Sequence, residues 1–371
     1  MLIQNAKAFI NGKFQEKTDL LIRDGRISAI GTGLAAEGEE TLDLGGDLLL
    51  PGFVDVHIHA FKGMDTMQGE EAVRHMSREL KKVGVAAFLP TTMSASPEDT
   101  VKALAGVKAV MERPEPDGAI VLGAHMEAPF LAEAKAGAQL KQYFADPNEE
   151  NWQRYTCGLE SVVRLITMAP ERAGAMEFIS ALTKKGITVS IGHTTADAET
   201  THAAAEAGAT HVTHTFNAQT PLNHRAPGVP GAALVDDRLQ CEVISDGIHL
   251  HPDIVKLIIR TKGKEKLVAI TDAMEAAGMP DGQYQLGGQE VFVHEGAARL
   301  KDGTLAGSTL TMIRAFQNLI RFGATPEEAA LMTTKTPALS IGNEELGEIE
   351  LGAPAIFSRF DENYAFKGTV G

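Results

Sequence analysis

The stretch PGFVDVHIHAFKG, residues 51–63, decides how the rest of the chain is read. It has the apolar texture of a buried strand until His57 and His59 interrupt it. Side chains alternate faces along a strand, so two residues spaced this way point to the same side. Two imidazoles aimed at one point from a buried strand ask for a shared partner.

Beyond Pro51, apolar strand-like runs alternate with amphipathic helical ones. The strand runs are GFVDVHIHA, AAFLPTTM (86–93), AIVLGAHME (119–127), VVRLITMAP (162–170), TVSIGH (188–193), HVTHTFN (211–217), CEVISDGIH (241–249) and LVAITDA (267–273). Between most of them lie helix candidates such as EEAVRHMSRELKKVG, PEDTVKALAGVKAVMER and DAETTHAAAEAG. The first and third end in Gly, the usual helix stop. Apolar strands each followed by a crossover predict a parallel sheet covered by helices. Eight of them also suffice to close a β/α barrel of roughly 250 residues. Two further helices are expected after the eighth strand, in STLTMIRAFQNLIRFG and PEEAALMTTKTPALSIG. The opening segment, with strands over 2–10 and 19–31, and the tail from 347 have β texture instead. The chain ends are therefore expected to meet in a small sheet domain, residues 1–50 plus 343–371, beside an α/β barrel over 51–342.

Composition narrows the class. The 371 residues are 44% hydrophobic and 22% charged, ordinary for a globular protein. A formal net charge of −15 argues against nucleic acid or an anionic membrane as partner, though a local pocket can still take an anionic small molecule. Cys157 and Cys241 lie far apart and suggest no disulfide framework. The N-terminal MLIQNAKAFINGKF lacks the apolar core of a signal peptide, and no run is long enough to span a bilayer. A cytoplasmic enzyme is expected.

The chemistry-bearing residues collect at the ends of the expected strands. His57 and His59 close the first, Glu127 the third, His193 the fifth, His214 the sixth and Asp272 the eighth, while His249 follows the seventh. In a β/α barrel these ends share one mouth, where such folds place their chemistry. Imidazole and carboxylate together suit zinc, iron, manganese or cobalt, whereas calcium and magnesium prefer oxygen. Such a metal lowers the pKa of a bound water from ~15.7 toward ~7. Asp272 is the carboxylate left to take a proton and return it to a leaving group. Metal-assisted hydrolysis is the implied reaction class. One strand-end histidine alone is usually structural, and an aspartate there can simply cap a helix. His75, His202, His224 and His294 take that plain reading, as does His211, which points away from His214. His125 shares a face with Glu127 and is expected to orient a ligand.

With these residues in place, the chain resembles the amidohydrolase superfamily and, within it, the N-acetylglucosamine-6-phosphate deacetylase family. The resemblance runs from PGFVDVHIHA through HMEAPF, IGHTTAD, HTFNAQTPLNHRAPGVPGAAL, SDGIHLHP and TDAMEAAGMPDGQY to TLAGSTLTM. It implies removal of the acetyl group from a phosphorylated amino sugar, a TIM-like barrel with a small β-sandwich from both chain ends, and a homodimer. It implies Glu127, His193 and His214 as principal metal ligands, and His57 and His59 as the pair found in members with a second metal. A site for one or two divalent ions, zinc or iron, follows, with the binuclear form favoured and Glu127 bridging. Asp272 falls on the catalytic acid/base. Ala138, Gln139, Asn217, Ala218, Arg225, Asp246, Gly247, Ile248, His249, Leu305, Ala306 and Gly307 fall on substrate-contacting positions, with Arg225 on the phosphate. Three positions depart from the family pattern: Ala128 stands for a glycine, Gln139 for a histidine and Gln219 for a methionine. A competing reading is an amidohydrolase acting on another N-acetylated amino sugar or on a different amide, dihydroorotase-like or D-aminoacylase-like. Such relatives often carry a carboxylated lysine on the fourth strand, and VVRLITMAP has none.

Overall fold

The computed structural model describes residues 1–35 and 37–371. Eight parallel strands form the barrel: β1 (Phe53–Ile58), β2 (Val85–Thr92), β3 (Ala124–Met126), β4 (Val163–Met168), β5 (Thr188–Ile191), β6 (His211–Val212), β7 (Gln240–Ile244) and β8 (Leu267–Ile270). Each pairs with the next in chain order. The seam between β8 and β1 closes just past their ends, where the Asp272 N–H donates to the His57 carbonyl at 2.8 Å and the His59 N–H to that of Ala273 at 3.0 Å. Asp55 of β1 stitches the same seam, accepting the Thr271 hydroxyl at 2.6 Å. Its complete burial pushes that carboxyl up to about 6, which suits a group held by a neutral hydroxyl partner.

The third strand run is not continuous. Ile120–Val121 and Ala124–Met126 both pair with β2, Val121 opposite Phe88 and His125 opposite Thr91, so one residue is extra on this side. Such a bulge shifts the alternation by one position. His125 and Glu127 thereby take the inward face. Gly123 permits it, with φ of 141°; a Cβ there would lie 2.3 Å from Arg164 Cγ and 2.7 Å from the Val162 carbonyl.

The helices stand where the pattern placed them, at Glu70–Lys82, Pro97–Glu112, Ala198–Ala207 and Met312–Phe322. Gly208 and Gly323 end two of them in the left-handed conformation, with φ of 119° and 115°. PEEAALMTTKTPALSIG forms two helices rather than one, Pro326–Thr333 and Lys335–Ser340, broken at Thr334. Pro337 explains the break: its ring collides with the carbonyl four residues back and it has no N–H to give. It is tolerated only in the first turn of a new helix.

Both chain ends enter one seven-stranded sheet. Its order is 366–370, 357–360, 48–51, 2–10, 13–23, 26–31, with 41–43 also beside 2–10. Ile3, Leu20, Ile27, Leu49, Ile349 and Phe357 form its own core, separate from the barrel core built on residues such as Val54, Phe88, Ile166 and Phe316. A second, three-stranded antiparallel sheet (282–286, 289–294, 297–299) follows β8 and was not anticipated. Its signal was present in the turns Gly287-Gly288 and Glu295-Gly296, all four residues at positive φ. Leu286, Val291, Val293 and Ala298 pack it onto Met93, Met274 and Ala306 at the barrel mouth.

Candidate active site

At the mouth, four imidazoles converge on one carboxylate. Glu127 Oε1 lies 3.3 Å from His57 Nε2, 3.3 Å from His193 Nε2 and 3.0 Å from His214 Nε2, while its Oε2 lies 3.2 Å from His59 Nε2. Asp272 Oδ1 stands 3.1 Å from His59 Nε2 and 3.5 Å from His57 Nε2. All six side chains are buried. Two overlapping sets of ligand atoms result, one from His57, His59 and Glu127 and one from Glu127, His193 and His214. Residues up to 215 positions apart in the chain are thus brought to one point, as the strand-end pattern predicts. Three of them, His193, His214 and Asp272, sit at positive φ (47°, 28° and 50°). Left-handed backbone costs a non-glycine residue about 1–2 kcal/mol, and such residues gather at functional sites.

The far nitrogens of these rings decide which proton state faces the centre. His57 Nδ1 meets Glu242 Oε2 at 3.0 Å, His59 Nδ1 the Thr91 carbonyl at 3.3 Å, and His193 Nδ1 the Lys135 carbonyl at 2.8 Å. These oxygens only accept, so each Nδ1 carries the proton and donates it. A neutral ring then turns a bare Nε2 lone pair toward carboxylate oxygens that also carry only lone pairs. The Nε2 atoms of His193 and His214 even face each other at 3.1 Å. Buried lone pairs in this arrangement repel unless positive charge lies among them. Protons on both facing rings would set like charges together, whereas a transition metal accepts imidazole nitrogen and carboxylate oxygen at once. The residues therefore fit a divalent metal. His57 Nε2 is buried without hydrogen-bond geometry to any partner among the described residues, which agrees with a ligand atom.

Without an ion among them, the carboxylates and rings draw the balancing positive charge from one another. Burial pushes the Glu127 carboxyl up, but the rings of His57, His193 and His214 outweigh it and hold the group well below the ordinary range. Asp272 is likewise raised by burial and brought below its usual value by His57 and His59. Burial lowers His59, yet Asp272 and Glu127 push it up to about 9. His125 is held well below its usual value, by burial first and by His57 next. It makes no hydrogen bond to a ligand. Instead its ring packs edge-on against His57, centroids 4.5 Å apart, and its Nε2 meets the Thr167 hydroxyl at 2.8 Å.

A cavity of about 300 Å³ opens over the centre. Of the residues expected to meet substrate, Ala138, Gln139, Asn217, Ala218, His249, Leu305 and Gly307 line it. Gly307 (φ 63°) lets its loop run beside β8, where the Ser308 N–H donates to the Asp272 carbonyl at 2.7 Å. Asp246 stands behind the cavity and braces His249, its Oδ2 2.7 Å from Nδ1 and its Oδ1 accepting the Ile248 and His249 N–H groups. Gly247 and Ile248 are exposed at that turn, and Ala306 is fully buried in the core under the three-stranded sheet. Arg225 sits on an exposed turn closed by an Asn223–Ala226 bridge and does not line the cavity. Lys135 does, a cation that the sequence reading passed over.

The departures from the family pattern have distinct surroundings. Gln139 is buried, donates from Nε2 to Glu127 Oε2 at 2.5 Å and accepts the Ser94 N–H at 2.7 Å. Its amide is therefore spent on a metal-ligand candidate. Gln219 closes the turn after β6, donating to the Thr213 carbonyl and accepting the Phe216 N–H. Ala128 is buried beside Glu127. The sequence reading missed Glu242 altogether, although an acidic residue between Cys241 and Val243 of an apolar strand was a visible signal.

Comparison with known proteins shows the family. The amidohydrolase family model matches residues 48–368. An N-acetylglucosamine-6-phosphate deacetylase of Lysinibacillus sphaericus is 36% identical over 374 residues, covering 100% of this chain and 96% of the relative. An N-acetylgalactosamine-6-phosphate deacetylase of Escherichia coli O157:H7 is also 36% identical, over 91% of this chain and 88% of its own. Among solved structures, an aspartate-to-alanine mutant of N-acetyl-D-glucosamine-6-phosphate deacetylase from Mycobacterium smegmatis, in complex with N-acetyl-D-glucosamine 6-phosphate, superposes with a TM-score of 0.92 at 31% identity, covering 100% of this chain and 97% of that one.

Proposed function

The chain belongs to the amidohydrolase family, and from that premise we propose that it removes the acetyl group of N-acetylglucosamine 6-phosphate, releasing glucosamine 6-phosphate and acetate. The observation that carries this reading is the convergence of four Nε2 atoms on Glu127, with Asp272 Oδ1 within 3.5 Å of two of them, beneath a cavity of sugar-phosphate size. We assign Glu127, His193 and His214 to one divalent ion and His57, His59 and Glu127 to a second, zinc or iron in either case. A bound ion of this kind supplies an acidified water and polarisation of the acetyl carbonyl.

The chain's own groups do the rest. Asp272, held ionised, accepts a proton from the attacking water and later delivers it to the departing amine. In this reading His249 contacts the substrate: burial lowers its pKa, but the Asp246 carboxylate outweighs burial and raises it, which favours a ring able to donate. Asn217, Ala218, Leu305 and Gly307 shape the pocket, and Lys135, which lines it, meets the phosphate from within this chain. A homodimer and a cytoplasmic location belong to the same proposal. Leu222, Val235, Ile248 and Leu257 leave large apolar side chains exposed in one stretch of chain, and Cys157 and Cys241 are unpaired, as in reducing compartments. The equal identity to an N-acetylgalactosamine-6-phosphate deacetylase favours one second reading, the epimeric sugar.

The test is acetate release from N-acetylglucosamine 6-phosphate, N-acetylgalactosamine 6-phosphate and unphosphorylated N-acetylglucosamine, side by side, with metal content measured on the same sample. Fastest turnover on the first is expected. Absence of acetate from all three by fully loaded protein overturns the reading.

A further inference from the structure

Glu242 lies on β7, wholly buried below the mouth, and no step described so far uses it. An isolated carboxylate at such depth costs several kcal/mol, so its partners matter. Its Oε2 meets His57 Nδ1 at 3.0 Å and accepts the backbone N–H of His214 at 3.3 Å. Its Oε1 meets His211 Nδ1 at 3.3 Å, and His211 Nε2 in turn reaches the Ser340 carbonyl at 3.2 Å. One oxygen of Glu242 therefore touches a residue from each half of the cluster. The two halves are not equally dependent on it. His193 is braced through the Lys135 carbonyl, and His214 gives Glu242 only a main-chain N–H. Of the four rings around Glu127, His57 is the one whose nitrogen meets this carboxylate.

We propose that Glu242 is a positioning residue that creates the second ion site, by holding His57 as an Nδ1–H tautomer with its Nε2 lone pair turned to the centre. A carboxylate behind a ligating imidazole fixes its orientation and raises its basicity, and removing such a partner typically weakens metal binding about 10–100-fold. His211 and Ser340 anchor the carboxylate from the side away from the metal. This assignment rests on the two-ion reading of the cluster.

The decisive comparison is cobalt(II) binding by the full-length protein and its Glu242→Gln and Glu242→Asp variants, after metal removal. Calorimetry counts the ions and their affinities, electron paramagnetic resonance reports whether two ions are coupled, and the metal-free melting temperature tracks the fold. Wild type should take two coupled ions. Glu242→Gln should keep the tighter ion nearly unchanged and lose about 10–100-fold on the weaker, with the coupled signal gone; Glu242→Asp should recover part of it. Two ions held at wild-type affinity by Glu242→Gln overturn the role of Glu242 while leaving the two-ion reading intact. A single ion in wild type overturns the two-ion reading and the proposal with it. Equal weakening of both ions with a lowered metal-free melting temperature, unrescued by aspartate, marks Glu242 as a general core residue and also overturns the proposal.

Discussion

His57 and His59 stand on β1 and just past its end, neither at positive φ, whereas His193 and His214 stand beyond the ends of their strands, with φ of 47° and 28°. The first pair is carried by β1, whose register against β2 slips by one residue between Asp55 and Ile58, and is braced by Glu242 and the Thr91 carbonyl. The second pair owes its aim to turns, one tied to the Lys135 carbonyl and the other closed by Gln219. Glu127 belongs to both, and a β-bulge sets its direction. One half of the cluster is therefore a property of secondary structure, and the other of loops held in costly conformations. Strand geometry needs little support. Loop geometry has to be overdetermined by its neighbours.

Six substitutions probe that contrast, in decreasing order of effect. Asp272 is the proposed proton carrier, so Asp272→Asn should lower kcat about 10²–10⁴-fold while metal content stays near wild type; steady-state kinetics with elemental analysis checks both. His193→Asn and His57→Asn strike one half each. Each should reduce the bound ions from two to one, but His57→Asn should retain measurable turnover on the Glu127, His193 and His214 set, whereas His193→Asn should not. Equal residual activities would mean that the halves are equivalent after all.

Gln139→Ala removes the amide from Glu127. A hydrogen bond to a charged group contributes about 1.5–3 kcal/mol, so deacetylation should slow about tenfold or more, with little change in melting temperature. The smallest effect concerns backbone alone. Ala218 sits at φ of 51°, so Ala218→Gly should be neutral to stabilising by up to about 1 kcal/mol, since relief of left-handed strain outweighs the added freedom of the unfolded chain. Ala60, after β1, is in extended backbone, and Ala60→Gly should destabilise by at least about 0.5–1 kcal/mol. Chemical denaturation of the two variants should show opposite signs.

Much of this was legible in the residues. The eight strand runs, the Gly-ended helices and the six clustered side chains could be placed because burial of parallel strands demands continuous apolar runs, and charged or imidazole groups at their ends stand out. Glu242 was passed over because attention to strand ends hides a carboxylate lying one turn of the pleat deeper. The three-stranded sheet went unnoticed because GQYQLGGQEVFVHEG is short, polar and half-exposed, so its alternation is weak. The break at Thr334 was predictable from Pro337, but the apolar pattern runs smoothly through it. Arg225 illustrates the reverse problem: a motif names the residue, but only the fold shows that its turn stands clear of this chain's cavity.

By itself the sequence determined the fold class, the barrel order of the strands and the chemical character of the centre, because those follow from local periodicity and from which side chains can bind metal. The tertiary structure alone decided the proton placement on His57, His59 and His193, the hidden brace behind His57 and the direction of Gln139. These depend on which donor lies within about 3 Å of which acceptor, and no pattern along the chain encodes distances between residues nearly two hundred positions apart.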